Sequence, residues 1–207
     1  MYLFLVGPPG IGKSTLAPAL ASRLAARVFE IDRAVERRAR KKNRDTIEQD
    51  GMERFRDLET RALQSLHATP AWCVVDTGGG TPLRPENRAR MRELGLIIGL
   101  RAPLAWMTRG IAATMAKRPD QTRSPADRAR HALRDPERRA AYRDVDVTFD
   151  VDGASAEETA DAMRYAALSM LMTQPPAFSI YQRNDSAVPV DLKPLVDFVP
   201  LVQEFYL

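Results

Sequence analysis

The octapeptide Gly7-Pro-Pro-Gly-Ile-Gly-Lys-Ser14 has the pattern G-x-x-x-x-G-K-[ST], whose chemistry is the capture of phosphate. Glycines let successive backbone N–H groups turn inward toward an anion, and a helix starting at Lys13 adds the positive end of its dipole. Lys13 is placed to reach the β and γ oxygens of a nucleoside triphosphate, and the Ser14 hydroxyl is placed to ligate Mg²⁺. The candidate nucleotide contacts are Gly10, Ile11, Gly12, Lys13, Ser14 and Thr15. Three further clusters carry reactive types: Glu30-Ile-Asp32, Phe55-Arg-Asp-Leu-Glu59 and Asp76-Thr-Gly-Gly-Gly80. Asp32 is an acceptor for hydroxyl groups and a candidate base, Arg56 a bidentate partner for a carboxylate, and Asp76 closes an apolar run as an acid that holds Mg²⁺ would. With Ser14 and Asp32, Asp76 completes a set of hard oxygen donors for that ion.

These residues need a scaffold that brings them to one edge. Short apolar runs at Tyr2 to Val6, Arg27 to Ile31, Trp72 to Val75, Leu96 to Leu100 and Val145 to Val151 alternate with longer segments of helical character. That alternation predicts an α/β fold, a doubly wound and mainly parallel sheet of five strands flanked by helices. The helices are expected over Lys13 to Ala25, Arg33 to Lys41, Gly51 to His67, Pro85 to Leu94, Pro103 to Met115, Pro125 to Arg134, Pro136 to Tyr142 and Ser155 to Met172. Proline near the first turn of several costs little, and Ser155 with Glu158 has the spacing of a capping box. In such a sheet, ligands gather beyond the carboxyl ends of the strands, where Asp32 and Asp76 fall.

With 207 residues, 44% hydrophobic and 28% charged, the chain suits one globular domain with an appendage and excludes global disorder. Its formal charge of +4 suits an anionic ligand and is too small to argue for nucleic acid. Cys73 stands alone, which excludes an internal disulfide and a cysteine-rich metal site and points to a reducing, cytoplasmic setting. No apolar run reaches the length of a bilayer span, so no membrane role is expected. Trp72, Trp106, His67 and His131 read as packing or surface residues.

Taken in this order, the clusters resemble the shikimate kinase family, P-loop kinases that phosphorylate the 3-hydroxyl of shikimate with Mg-ATP, over about Tyr2 to Met172. The resemblance implies that Asp32, Arg56 and Gly78-Gly79-Gly80 hold shikimate. It implies further that Arg118 in Lys117-Arg118-Pro119 is the arginine of a lid over about 116–128, and that Arg109 lies against the adenine. A late arginine that clamps the substrate carboxylate matches Arg138, with Arg139 as the alternative register. Lys13, Asp32 and Arg118 are then the catalytic set. The family's R-P-L-L lid continues here as Asp120-Gln-Thr-Arg-Ser-Pro125, and its D-x-D is Glu30-x-Asp32.

Residues 1–172 form the expected kinase domain, and 173–207, rich in Pro and apolar residues, form a C-terminal extension that packs on the domain or on a second copy. The expected partner is a small hydroxy acid, and the expected state is a monomer or a weak homo-oligomer through that extension. Two competing readings are a related small-metabolite kinase with another acceptor, and a non-catalytic nucleotide-binding protein. The second would use its arginine-rich helices (33–44 and 128–143) on nucleic acid or a protein. Those arginines are interspersed with acids and lack interleaved aromatics, which favours a solvated helix face.

Overall fold

A computed structural model describes residues 1–68, 71–114 and 123–173. Five parallel strands, β1 (Tyr2–Val6), β2 (Arg27–Glu30), β3 (Cys73–Asp76), β4 (Gly95–Arg101) and β5 (Val147–Asp150), make one sheet in the order β2-β3-β1-β4-β5. Helices α1 (Lys13–Arg23), α2 (Ile31–Ala39), α3 (Asn43–Asp50), α4 (Met52–Gln64), α5 (Pro85–Leu94), α6 (Leu104–Ala113), α7 (Pro125–Arg134), α8 (Pro136–Arg143) and α9 (Ala156–Thr173) connect or follow the strands.

Alternation along β1 shows why it is central. Leu3 and Leu5 point to one face and pack with Leu20 of α1, Val74, Ile98 and Met163 of α9. Tyr2, Phe4 and Val6 point to the other and pack with Ile31, Phe55, Leu63, Val75, Met91 and Ile97. All five β1 residues are buried, as a strand covered by helices on both faces requires. Outermost β2 instead exposes Arg27 and Val28. Pairing runs in register from β1 to β3 (Leu5 opposite Asp76) and from β1 to β4 (Leu5 opposite Ile98). The chain order therefore reverses at β1, and the crevice at that switch point opens beside the loop that follows it.

Expected strands all appear, within one or two residues for β1, β2, β3 and β4, while β5 is shorter than the run 145–151. The expected capping box at α9 forms: Ser155 Oγ accepts from Glu158 N at 3.1 Å, and Ser155 N donates to Glu158 Oε2 at 2.8 Å. The sequence did not predict α3 or the 3₁₀ turn Thr81–Leu83. Helix α3 reads NRDTIEQD and buries only Thr46, so it lacks the apolar stripe that marks a helix. The C-terminal extension lies outside the described residues, as do the first residues of the expected lid.

Candidate active site

The loop after β1 ends at Gly12, which precedes the first turn of α1. Lys13 is buried, at 7% exposure, and its Nζ donates to the carbonyls of Gly7 at 2.8 Å and Pro8 at 3.1 Å. These bonds hold the ammonium across the mouth of the loop, where a phosphate chain would meet it. Ser14 and Thr15 are exposed and line the cavity that opens on the loop. Gly10, at φ +78°, sits so close to α6 that its carbonyl occupies the space a Cβ on Gly110 would need. The loop is thus pressed between α1 and α6, and Trp106 Nε1 fixes it again by donating to Ile11 O at 3.2 Å.

A cavity of about 430 Å³ opens on this loop, walled by Lys13, Ser14, Thr15, Asp32, Asp76 and Gly78 among others. Asp76 ends β3, and its Oδ1 accepts from Gly78 N at 3.1 Å, while Thr77 Oγ1 donates to Leu5 O at 2.8 Å. The two strand ends that carry the phosphate loop and the glycine triplet are thereby locked together.

The adjoining cavity, about 300 Å³, shares Pro9, Asp32 and Gly79 with the first and adds Arg56, Gly80 and Arg138. Arg56 Nη1 bonds Glu59 Oε2 at 2.5 Å, with the carboxylate 1% exposed. Glu59 also accepts from Thr81 Oγ1 at 2.8 Å, and Thr81 Oγ1 in turn contacts the Thr77 carbonyl. Burial raises the Glu59 carboxyl above its ordinary range, and Arg56 and Thr81 oppose that rise. The same guanidinium lies where a Cβ on Gly80 would sit, so a side chain there would displace Arg56 from its present position.

Arg138 sits on α8, capped by Asp135, whose carboxylate accepts from Arg138 N at 3.0 Å. Its Nη1 donates to Gly79 O at 3.2 Å and to Tyr142 Oη at 3.1 Å, and Tyr142 Oη donates to Gly79 O at 2.6 Å. The i, i+4 pair Arg138 and Tyr142 thus staples α8 to the glycine triplet. Arg139 is exposed and lines neither cavity, so of the two registers only Arg138 faces the site.

Asp32 opens onto both cavities. Asp32 keeps an exposed surface toward the cavities, yet the protein packed around its carboxyl pushes it up to about 6, desolvation first, then the nearby Glu59 and Asp76 charges, with Lys13 opposing. It stands where a carboxylate would receive a proton from a group held in the second cavity.

Some expectations differ from the geometry. Ile11 is 1% exposed, so only its backbone serves the loop. Arg109 is exposed and stacks over the Trp106 ring at 5.7 Å, and Trp106 lines a third pocket. Gly78 faces the phosphate cavity, leaving Gly79 and Gly80 to the second. Arg118 lies outside the described residues.

Other residues that the sequence does not assign to the site join the cavities, among them His131 and Trp106, which read from sequence as packing or surface residues. Asn43, Arg123, Arg128 and His131 line the second cavity. Trp106 and Ser155 line a third, largely apolar pocket of about 260 Å³ that reaches the loop at Gly12 and Thr15. Tyr142 carried a usable signal, its four-residue spacing from Arg138, and Arg123 and Arg128 fall in the segment expected as a lid, whereas Asn43 is a lone residue on a polar segment.

The family model of shikimate kinase matches residues 9–167. The chain is 36% identical over 154 residues to a shikimate kinase of Geobacter sulfurreducens, covering 74% of this chain and 83% of that protein. It is likewise 36% identical over 146 residues to a shikimate kinase 2 of an Enterobacter species, covering 69% and 82%. A solved shikimate kinase of Acinetobacter baumannii, in complex with shikimate, superposes with a TM-score of 0.70 at 27% identity over 81% of this chain and 93% of that one. Sequence match, strand order and the two joined cavities agree, and the chain belongs to the shikimate kinase family.

Proposed function

We propose that the chain transfers the γ-phosphoryl group of ATP to a ring hydroxyl of shikimate. The observation that carries this reading is the position of Asp32 on the shared wall of the phosphate cavity and the arginine-lined cavity. In the proposed reaction the hydroxyl oxygen attacks the γ-phosphorus, the bond to the bridging oxygen breaks, ADP leaves, and the hydroxyl proton passes to Asp32. Little covalent work is asked of the protein, so positioning and charge dominate.

Lys13 and the N–H groups at the start of α1 meet the charge on the β and γ oxygens. Ser14 and Asp76 offer a hydroxyl and a carboxylate, hard donors that suit Mg²⁺ with phosphate oxygens and water completing its sphere. That ion would supply charge neutralisation on the nucleotide. Arg138 retains N–H groups beyond those given to Gly79 and Tyr142, and with Arg56 it would grip the acid's carboxylate. The third pocket, apolar with a polar rim at Ser155, suits the purine ring. Arg118 is assigned to the developing phosphoryl charge, on the resemblance alone.

Among the described residues no helix is long and apolar enough to cross a membrane. A coupled ADP-release assay with ATP, Mg²⁺ and a panel of hydroxy acids tests the reading. Shikimate should support turnover well above the other acids, and Lys13→Ala should abolish it. Equal ADP release with and without shikimate would overturn it.

A further inference from the structure

Trp106 stands on α6 with its indole half-buried against the core that holds Ile11 and Leu16. Its Nε1 donates to the Ile11 carbonyl at 3.2 Å. The same ring lines the third pocket, which meets the phosphate cavity at Gly12 and Thr15. Arg109, three residues on, lies over the ring at 5.7 Å from its centroid. Core, carbonyl and cation together fix the indole.

The bond to Ile11 has a consequence one atom further along the chain. The Ile11 carbonyl shares its peptide unit with the N–H of Gly12, and in a planar trans peptide those two groups point in opposite directions. Turning the carbonyl toward Trp106 turns the N–H away from the third pocket, to the side on which Gly12 lines the phosphate cavity. Packing at Gly12 does not impose that direction. A Cβ built there would meet no atom within 4 Å, and at φ +113° glycine turns at little steric cost. The Gly12 carbonyl accepts from Thr15 N at 3.0 Å and Leu16 N at 2.9 Å, which pins the next peptide unit and not this one.

We infer that Trp106 is a positioning residue for the nucleotide: by holding the Ile11 carbonyl it keeps the Gly12 N–H presented to the phosphate chain. Its hydrogen bond acts on the phosphates, although its ring lines the pocket assigned to the base. The inference rests on the proposed reading of the first cavity as the phosphate site, and it adds to that site a side chain that lies outside the loop.

The test separates phosphate from base. Trp106→Phe keeps an aromatic ring and removes the N–H donor. Titration calorimetry with Mg²⁺ then compares wild type and variant in binding ADP and inorganic tripolyphosphate, which has no base. Both ligands should bind the variant about tenfold more weakly and by the same factor, as expected when a hydrogen bond to a charged group is lost. KM for ATP should rise in step while KM for shikimate stays within about twofold, and the Tm should fall by no more than about 4 °C. Weaker ADP binding with unchanged tripolyphosphate binding would mean that the indole serves only as a wall for the base, and would overturn the inference. So would wild-type affinity for both. Should the phenylalanine variant melt early, benzothienylalanine at position 106 replaces it, since sulfur then takes the place of the indole N–H and the shape is kept. Wild-type protein that holds no tripolyphosphate would overturn the inference and the phosphate-site reading together. The expected binding pattern without turnover of shikimate would support the inference and overturn the acceptor reading alone.

Discussion

Arg56 and Arg138 reach one cavity under different obligations. Arg56 neutralises a Glu59 carboxylate that is 1% exposed, so its removal strands a buried charge. Breaking such a pair from one side costs about 3 kcal/mol. Arg56→Ala should therefore lower the midpoint of urea unfolding as well as weakening shikimate binding. Among the described residues Arg138 bonds a carbonyl and a phenol, so Arg138→Ala should leave the unfolding midpoint near wild type while raising KM for shikimate by about 30-fold or more, the loss of a charge-assisted bond. Arg139→Ala should change neither. Equal stability of the Arg56 and Arg138 variants would refute this division. Asp32 gives a second prediction with a defined sign. Its folded carboxyl holds a proton up to about pH 6, against an ordinary 3.8, so the folded form binds the proton more tightly and stability declines as pH rises from about 4 to above 6. Asp32→Asn removes that penalty: it should raise the Tm at pH 7.5, give no gain at pH 4, and abolish phosphoryl transfer. Asp32, Arg56 and Arg138 were legible because each sits in a recognisable run of residues. Asn43 was not, because a single asparagine in a polar stretch has no pattern to betray the bond it makes to the Asp32 carbonyl.

At the scale of elements, the strands and most helices follow from apolar periodicity, and what escaped was packing without periodicity. Helix α3 is held by its ends and by side-chain bonds, Thr46 Oγ1 to Lys42 O at 3.2 Å and Asn43 N to Glu36 Oε1 at 3.2 Å, while Gly51 separates it from α4. None of this leaves a hydrophobic stripe to read. The contact of the phosphate loop with α6 was equally hidden, since it depends on two glycines a hundred residues apart in sequence meeting in space. Gly110→Ala tests it. Alanine is the better helix former by about 1 kcal/mol, which offsets part of the roughly 1–3 kcal/mol cost of overpacking. The Tm should therefore move little. The new methyl group occupies the place of the Gly10 carbonyl, so the loop must shift, and KM for ATP should rise about tenfold or more while KM for shikimate changes less. A variant with wild-type KM for ATP would show that the loop does not need this close approach.

Across the whole molecule, the class of sheet was legible but its order was not, because periodicity marks strands without saying which become neighbours. Order came from the crossovers, which put β1 between β3 and β4 and so brought Asp76 beside the phosphate loop. The same view bears on the division of the chain at about residue 172. One face of the sheet is closed by α1 and α9, with Ala160, Met163, Ala167 and Leu168 buried against Leu16, Leu20 and Leu24. The other is closed by α2, α4 and α5 through Val35, Leu58, Leu63 and Met91. Among the described residues these two cores are built from positions 1–171, and a third, smaller cluster of Met107, Ile111, Ala129 and Ala132 anchors α6 and α7. A chain ending after Thr173 should accordingly lose less than about 1 kcal/mol, a Tm shift within about 2–4 °C for a domain of this size. Its kcat/KM for shikimate should stay within about twofold of the full chain. Failure of that shorter chain to fold would place part of the core in residues 174–207, and an unchanged Tm with lost turnover would assign that segment a share of the active site.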